Sequence, residues 1–317
     1  MTRFAPVIPR FAMPLALLCA LFGAPPLARA GEPNLALAAA ARSGDAAAAL
    51  KALEAGADVD RAGLSGDTPL LLAARTGHGQ VAQVLLANGA KLELRNADGD
   101  TPILVAARAC AGGVSRILLE AKASAAEADA SGASPLMLAA DRCGDAALKP
   151  LLAASPALDA RDEQGRTALW RAIDRNNLAS ALALLTAGAD PKLAPEGRPD
   201  PLWHAAEKGS ADLVALLAEH GAPTDKPDGS GATPLMLAAR RGDSAVLARL
   251  IKAGAEIDRQ DTLGLTALML AAGSGRGPAV TTLLAAHANK NLRDKRKETA
   301  QDIAKAAGFE DVATALK

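Results

Sequence analysis

A period of 33 residues runs through almost the whole chain and leaves little freedom in what it can fold into. Thr68-Pro69, Thr101-Pro102, Ser134-Pro135, Thr167-Ala168, Asp200-Pro201, Thr233-Pro234, Thr266-Ala267 and Thr299-Ala300 fall at successive steps of that period. Residue 35 opens the same register one step earlier, with Leu37, Ala40-Ala41 and Gly44 aligned on Leu70, Ala73-Ala74 and Gly77. Nine units follow, near residues 34–66, 67–99, 100–132, 133–165, 166–198, 199–231, 232–264, 265–297 and 298–317. Repeats of this length are supersecondary units too small to bury an apolar face alone, so they stack. Length alone would suggest two domains; the repeat predicts a single elongated one over residues 31–317.

Each unit reads as turn, helix, tight turn, helix, loop. Thr68 suits an N-cap and Pro69 the first helical position, where no backbone donor is lost. Leu70, Ala73 and Ala74 recur at helical spacing, and Gly77 can adopt the left-handed conformation that ends a helix. A second helix begins near Gly79, buries Val81, Val84 and Leu85, and ends at Gly89-Ala90. Asp98-Gly99 then forms the turn into the next unit. Composition agrees: half of the chain is apolar, yet only 2% is aromatic, as expected of helices packed closely on small side chains rather than of a β-sandwich.

The segment GDTPLLLAARTGHGQVAQVLLANGAKLE, residues 66–93, resembles the ankyrin repeat almost position by position, and residues 232–258 match equally well. The resemblance covers residues 34–317 and implies an all-α ankyrin-repeat solenoid with atypical end units as caps, binding protein partners through its concave face. Two departures stand out. The family's usual His after Thr-Pro-Leu is replaced by Leu71, Leu104, Met137, Trp170, Trp203, Met236, Met269 and Asp302, which exchanges an expected hydrogen bond for apolar contact. Ser155-Pro156-Ala157 stands where Gly-Ala is usual, so the second loop of the fourth unit is expected to be distorted.

Carried over by position, the exposed end of each first helix presents Arg42, Arg75, Arg108, Asp141, Asp174, Glu207, Arg240 and Gly273. The next position presents Arg142, Arg175, Lys208 and Arg241 in units four to seven. A solvated face would also look charged, but Arg is enriched in interfaces whereas Lys is depleted, and this column prefers Arg. Trp170 and Trp203 share one register position with Met137, Met236 and Met269; that stripe is core filling between units or, at Trp203, a binding hot spot. Cys110 and Cys143 lie 33 residues apart at the end of neighbouring first helices, where most units have Gly. Matched thiols invite a disulfide. The usual spacing of helix axes, about 8–10 Å, resists one, and two small buried hydrophobes remain the alternative.

Residues 1–30 read as a signal peptide: Arg3 and Arg10, an apolar run over residues 11–22, and Ala28-Arg29-Ala30 before the expected cleavage. The run is short for a membrane span and contains Pro14, which argues against a retained anchor, and the bulky Leu18 argues against lipidation of Cys19. Loss of Arg3, Arg10 and Arg29 would turn a neutral chain into one of net charge −3. An Ala-rich signal fits a bacterial periplasm, with secretion elsewhere as the alternative.

Near-neutral charge excludes the basic balance of a nucleic-acid binder. Enzyme chemistry is not expected. His78, His204, His220 and His287 form no metal-ligand spacing, and neither a Gly-x-Ser-x-Gly elbow nor a Gly-Lys-Ser phosphate loop is present. Gly273-Ser274-Gly275-Arg276-Gly277 falls at an inter-helix turn, and Asp129, Asp162, Asp228, Asp261 and Asp294 recur as turn formers. No metal or cofactor is implied. The expected function is that of an exported, non-catalytic and monomeric docking module for an unidentified protein, acting as adaptor, inhibitor, immunity or stabilising factor. The alternative is a structural, self-associating spacer of the envelope.

Overall fold

A computed structural model describes the backbone of residues 26–317, with side chains from Glu32 onward. Arg3, Arg10, the apolar run over residues 11–22 and Cys19 lie outside the described residues. The described chain folds into helix pairs: α1 (Pro26–Ser43) with α2 (Ala46–Glu54), α3 (Pro69–Thr76) with α4 (Gly79–Ala87), α5 (Pro102–Arg108) with α6 (Gly112–Glu120). Then come α7 (Pro135–Arg142) with α8 (Asp145–Ala153), α9 (Ala168–Asp174) with α10 (Leu178–Thr186), and α11 (Pro201–Lys208) with α12 (Ala211–Glu219). The last pairs are α13 (Pro234–Arg241) with α14 (Ser244–Lys252), α15 (Ala267–Gly273) with α16 (Gly277–Ala285), and α17 (Ala300–Ala306) with α18 (Glu310–Ala315). First helices pack on first helices of adjoining units and second helices on second helices, giving an all-helical solenoid with no strand among the described residues.

The caps explain the regularity. The hydroxyl of Thr68 accepts from the Leu71 amide at 3.3 Å, and Ser134, Thr167, Thr233, Thr266 and Thr299 cap their helices in the same way. The Thr101 hydroxyl is the exception, buried without a partner. Behind the caps Leu70, Ala73, Ala74, Ala106, Ala107, Ala139 and Ala140 are almost wholly excluded from solvent, so small side chains set a close spacing between first helices. The expected exchange of a hydrogen bond for apolar contact holds only in part: Met236 and Met269 sulfurs accept from the Thr233 and Thr266 amides at 3.4 and 3.5 Å, and Asp302 accepts from Thr299.

Two expected irregularities resolve differently. Ser155 takes φ +51°, the left-handed conformation held by Gly89, Gly188 and Gly254 in sister loops, so the loop keeps its path. What it loses is one hydrogen bond: Ala90 and Ala189 donate back into their helices, whereas Pro156 has no donor. Cys110 likewise takes the left-handed place of Gly77, with φ +58°, whereas Cys143 is extended and ends α7 by a different route.

The two sulfurs are bonded, with Cα atoms 5.3 Å apart. The approach rests on Gly112, where a Cβ would lie 2.2 Å from the Ala146 carbonyl oxygen, so only Gly lets α6 close on α8. The Cys143 carbonyl exposed by the altered helix end accepts from Asn177 Nδ2 at 2.9 Å and Ser180 Oγ at 3.0 Å. The chain from residue 31 onward, unfolded without reductant, is therefore expected to show no free thiol, and Cys143→Ser is expected to cost about 3–4 kcal/mol in urea unfolding. Two titratable thiols in that assay would refute the bridge.

Candidate partner-docking face

Among the residues expected to meet a partner, most are already engaged within the stack. Arg75 pairs with Asp67 of its own unit at 2.9 Å, and Arg108 joins Asp100 at 3.2 Å and Asp129, on the turn that leads into the next unit, at 3.0 Å. Lys208 donates to the Asp174 carbonyl at 3.0 Å and Arg241 to that of Glu207, each reaching back to the open C-terminal end of the preceding first helix. Arg241 also lies 3.4 Å from Asp243. Their charge is thus spent on contacts within a unit and from one unit to the next.

The strongest of these links was hidden in sequence. Asp141 is held by Arg171 through two hydrogen bonds, of 2.9 and 2.5 Å, and the same guanidinium reaches the fully buried Asp162 at 3.2 Å, which in turn accepts from Arg166 at 2.8 Å. One unit on, Asp174 meets His204 Nε2 at 3.1 Å and Lys208 Nζ at 3.0 Å, while His204 Nδ1 lies 3.4 Å from Glu207. Burial alone would raise the Asp174 carboxyl; the bonds from Lys208 and His204 outweigh it and hold the group below its ordinary value. Trp170 stacks flat on His204, centroids 4.5 Å apart. A signal for this ladder exists: the column Leu72, Val105, Leu138, Arg171, His204, Leu237, Leu270, Ile303 is apolar except at those two residues.

Arg142, Arg175 and Arg240 are different. All three are exposed, and among the described residues their side chains make no hydrogen bond or ion pair. Arg240 acts only through its field on Asp228. Arg142 and Arg175 line one open cleft with Asp141, Cys143, Asn176 and Asn177, directly over the disulfide-tied turn.

Trp203 also departs from its register mates. Met137, Trp170, Met236 and Met269 are all at most 4% exposed and fill the core. The Trp203 ring is half-buried and lines a cleft of about 480 Å³ between the turns that open units six and seven. Some neighbouring turns are tied by a backbone bond, as from Glu163 to Ser131 at 3.0 Å and from Thr262 to Ser230 at 3.1 Å. That bond is absent between Gly197 and Gly229, as it is between Asp98 and Ala130 and between Gln164 and Glu196. Pro195 stands in the Asp column and cannot donate, and the left-handed residue has moved to Gly197 from the place that Gly165 and Gly231 mark in the flanking turns. Beside this opening Asp200 replaces the capping Thr. Its Oδ1 accepts from the Trp203 amide at 2.8 Å, whereas its Oδ2 and the Trp203 Nε1 are buried without partners. Each such orphan costs about 1–3 kcal/mol. Burial pushes the Asp200 carboxyl above the ordinary carboxylate value, against the opposing pull of the Trp203 amide, the Lys226 charge and the Leu202 amide.

Among the described residues no group of three or more His, Cys, Asp or Glu is placed to hold a metal ion, and no helix is long and apolar enough to cross a membrane. The family model for ankyrin repeats (3 copies) matches residues 35–129, 114–195, 194–261 and 236–317, and the chain belongs to the ankyrin repeat family. Among solved structures it is similar to the human ASB11 ankyrin repeat domain, at 27% identity and a TM-score of 0.60 over 68% of this chain and 96% of that one. No curated protein matches it. Ankyrin repeats in general mediate contacts between proteins, and their fold is typically non-catalytic.

Two outcomes follow. Arg171→Ala strands Asp141 and the buried Asp162 together, so urea unfolding is expected to register a loss of about 3–5 kcal/mol. The folded state holds the Asp200 proton more tightly than the unfolded chain, whose group keeps its ordinary 3.8. The native protein should therefore lose stability relative to Asp200→Thr as pH rises through the raised folded value, and regain it as pH falls back toward 3.8, when paired melts are compared.

Proposed function

We propose that the protein is an exported docking module, which binds an acidic segment of another exported protein across units four to seven of its concave face. The observation that carries this reading is the unpaired state of Arg142, Arg175 and Arg240 on a surface where Arg75, Arg108, Asp141 and Asp174 are paired internally. Exposed Arg that makes no internal contact is available for bidentate pairing with carboxylates, and its planar fork loses less entropy per bond than Lys. Arg142 and Arg175 sit on consecutive units, and the bridge between Cys110 and Cys143 fixes the turn beneath Arg142. Rigid presentation of this kind reduces the entropic cost of binding.

Export rests on Arg3, Arg10, the apolar run over residues 11–22 and the Ala28-Arg29-Ala30 site, and a bridged pair of Cys is at home in an oxidising compartment. Cleavage after Ala30 would remove the first five residues of α1 and leave the buried Leu37, Ala40 and Ala41 in place. The role is that of an adaptor, inhibitor, immunity or stabilising factor whose specificity lies in surface charge.

The test is affinity capture from the exported protein fraction of the source organism with the mature chain and with an Arg142→Glu/Arg175→Glu variant. Both should melt alike, because neither Arg contributes an internal ion pair. One protein retained by the native bait and lost by the variant, in a complex of fixed stoichiometry, is the expected result. Equal retention by both baits, or assembly of the chain only with itself, refutes the docking reading and favours the envelope spacer.

A further inference from the structure

We infer that the cleft between the turns of units six and seven is a subsite for a side-chain carboxamide, an Asn or Gln of a bound protein segment, read by Trp203 Nε1 and Asp200 Oδ2. The inference rests on the docking reading above only for its biological setting; the chemistry of the cleft stands on its own geometry.

Four observations converge. The cleft, of about 480 Å³, lies where no backbone bond ties the neighbouring turns, beside Pro195 and Gly197. That volume lies within the range of ligand pockets, about 300–1,000 Å³. Two of its lining residues carry orphaned polar atoms just beneath its surface: the indole N–H of Trp203, a donor, and Oδ2 of Asp200, an acceptor on a residue only 2% exposed. Both belong to residues that depart from the repeat: Asp where the other caps are Thr or Ser, and a half-exposed Trp where units two to five, seven and eight bury Leu, Met or Trp. Finally, the exposed chains of Arg198 and Lys226, neither with an ion-pair partner among the described residues, form a flexible rim that can move aside.

The two orphans select the ligand. A carboxylate would accept from Trp203 but would meet Asp200, Glu207 and Asp228 at close quarters. An ammonium or guanidinium would satisfy Asp200 but leave the indole donor unpaired and face Arg198 and Lys226. A carboxamide supplies both halves: its C=O accepts from Trp203 Nε1 and its NH₂ donates to Asp200 Oδ2. Its neutrality suits a rim of mixed sign, and its methylene stem can lie along the indole ring. Burial holds Asp200 above its ordinary value; its ionised form supplies the acceptor.

The probes are Ac-Ala-X-Ala-N-methylamide peptides with X as Gln, Asn, Glu, Lys or Leu, titrated at millimolar concentration into the intact mature chain. The readout is the indole N–H resonance of Trp203, assigned with a Trp170→Phe variant, since the mature chain has no other Trp. Gln or Asn should shift that resonance saturably, and Leu should leave it unmoved. Asp200→Thr installs the cap of sister units and should weaken the Gln peptide about tenfold or more at an unchanged fold. Asp200→Asn, which presents a donor in place of the acceptor, should weaken it similarly and serves if the Thr variant is unstable. An equal response to Leu, a stronger one to Glu or Lys, no response to any peptide, or indifference to both Asp200 variants overturns the assignment. A silent cleft with selective capture by the Arg142/Arg175 surface would remove this subsite alone; a responsive cleft with failed capture would remove only the docking partner.

Discussion

The stacking of one first helix on the next through small side chains is the constraint on which everything else depends. Ala73-Ala74, Ala106-Ala107 and their counterparts bring the helices close, and every unit buries its apolar face only against its neighbours. Stability in such an array is nearly a sum of local interfaces. A side chain at a given register position therefore touches its own unit and the adjacent ones and nothing else. This is why the ion pairs run in steps of about one unit, from Asp141 to Arg171 and from Asp174 to His204.

The same constraint divides the charged surface into two populations. Cations that can reach an acidic turn or an open helix end of their own or the adjoining unit are drawn into the stack, as Arg75, Arg108, Lys208 and Arg241 are. Arg142, Arg175 and Arg240 find no such partner. The buried Arg171 already occupies the carboxylates of Asp141 and Asp162, and His204 and Lys208 occupy that of Asp174. The unpaired state of Arg142 and Arg175 is thus a consequence of the polar ladder beside them.

The fold was legible because its determinants are local and repeated: the Thr-Pro cap, the double Ala and the Gly stop each act within a few residues of themselves. The Cys pair was legible as a matched position, yet its closure depended on Gly112 approaching the Ala146 backbone, a contact between units that no spacing in one unit reveals. The left-handed Ser155 was legible only through its register, because it shares a column with Gly89, Gly188 and Gly254 while Ser itself has no such preference. The candidate face was legible in outline and not in state. The column of charges can be read directly, but which of them are free depends on long side chains crossing between units, and Arg171 and His204, the residues that decide it, stand in an apolar column.

Departures from the period gather in units four to six: the extended Cys143, the buried Arg171, Asn176 at a left-handed position, Pro195 in the Asp column, and Asp200 and Trp203 at the cap. In an array with neighbour-only coupling, each departure weakens its own interface and is not offset from a distance. Orphaned polar atoms at Asp200 and Trp203 and a missing bond between turns would make unit six a weak joint, while the bridge and the Arg171 ladder reinforce the units before it. A free solenoid gains nothing from that arrangement. A solenoid that receives a partner's polar group at unit six gains there what it lacks alone, because the unsatisfied donor and acceptor become interactions made only in the complex. The rigid neighbouring units, with Arg142 and Arg175 on their surface, hold the rest of the face in register for the same segment.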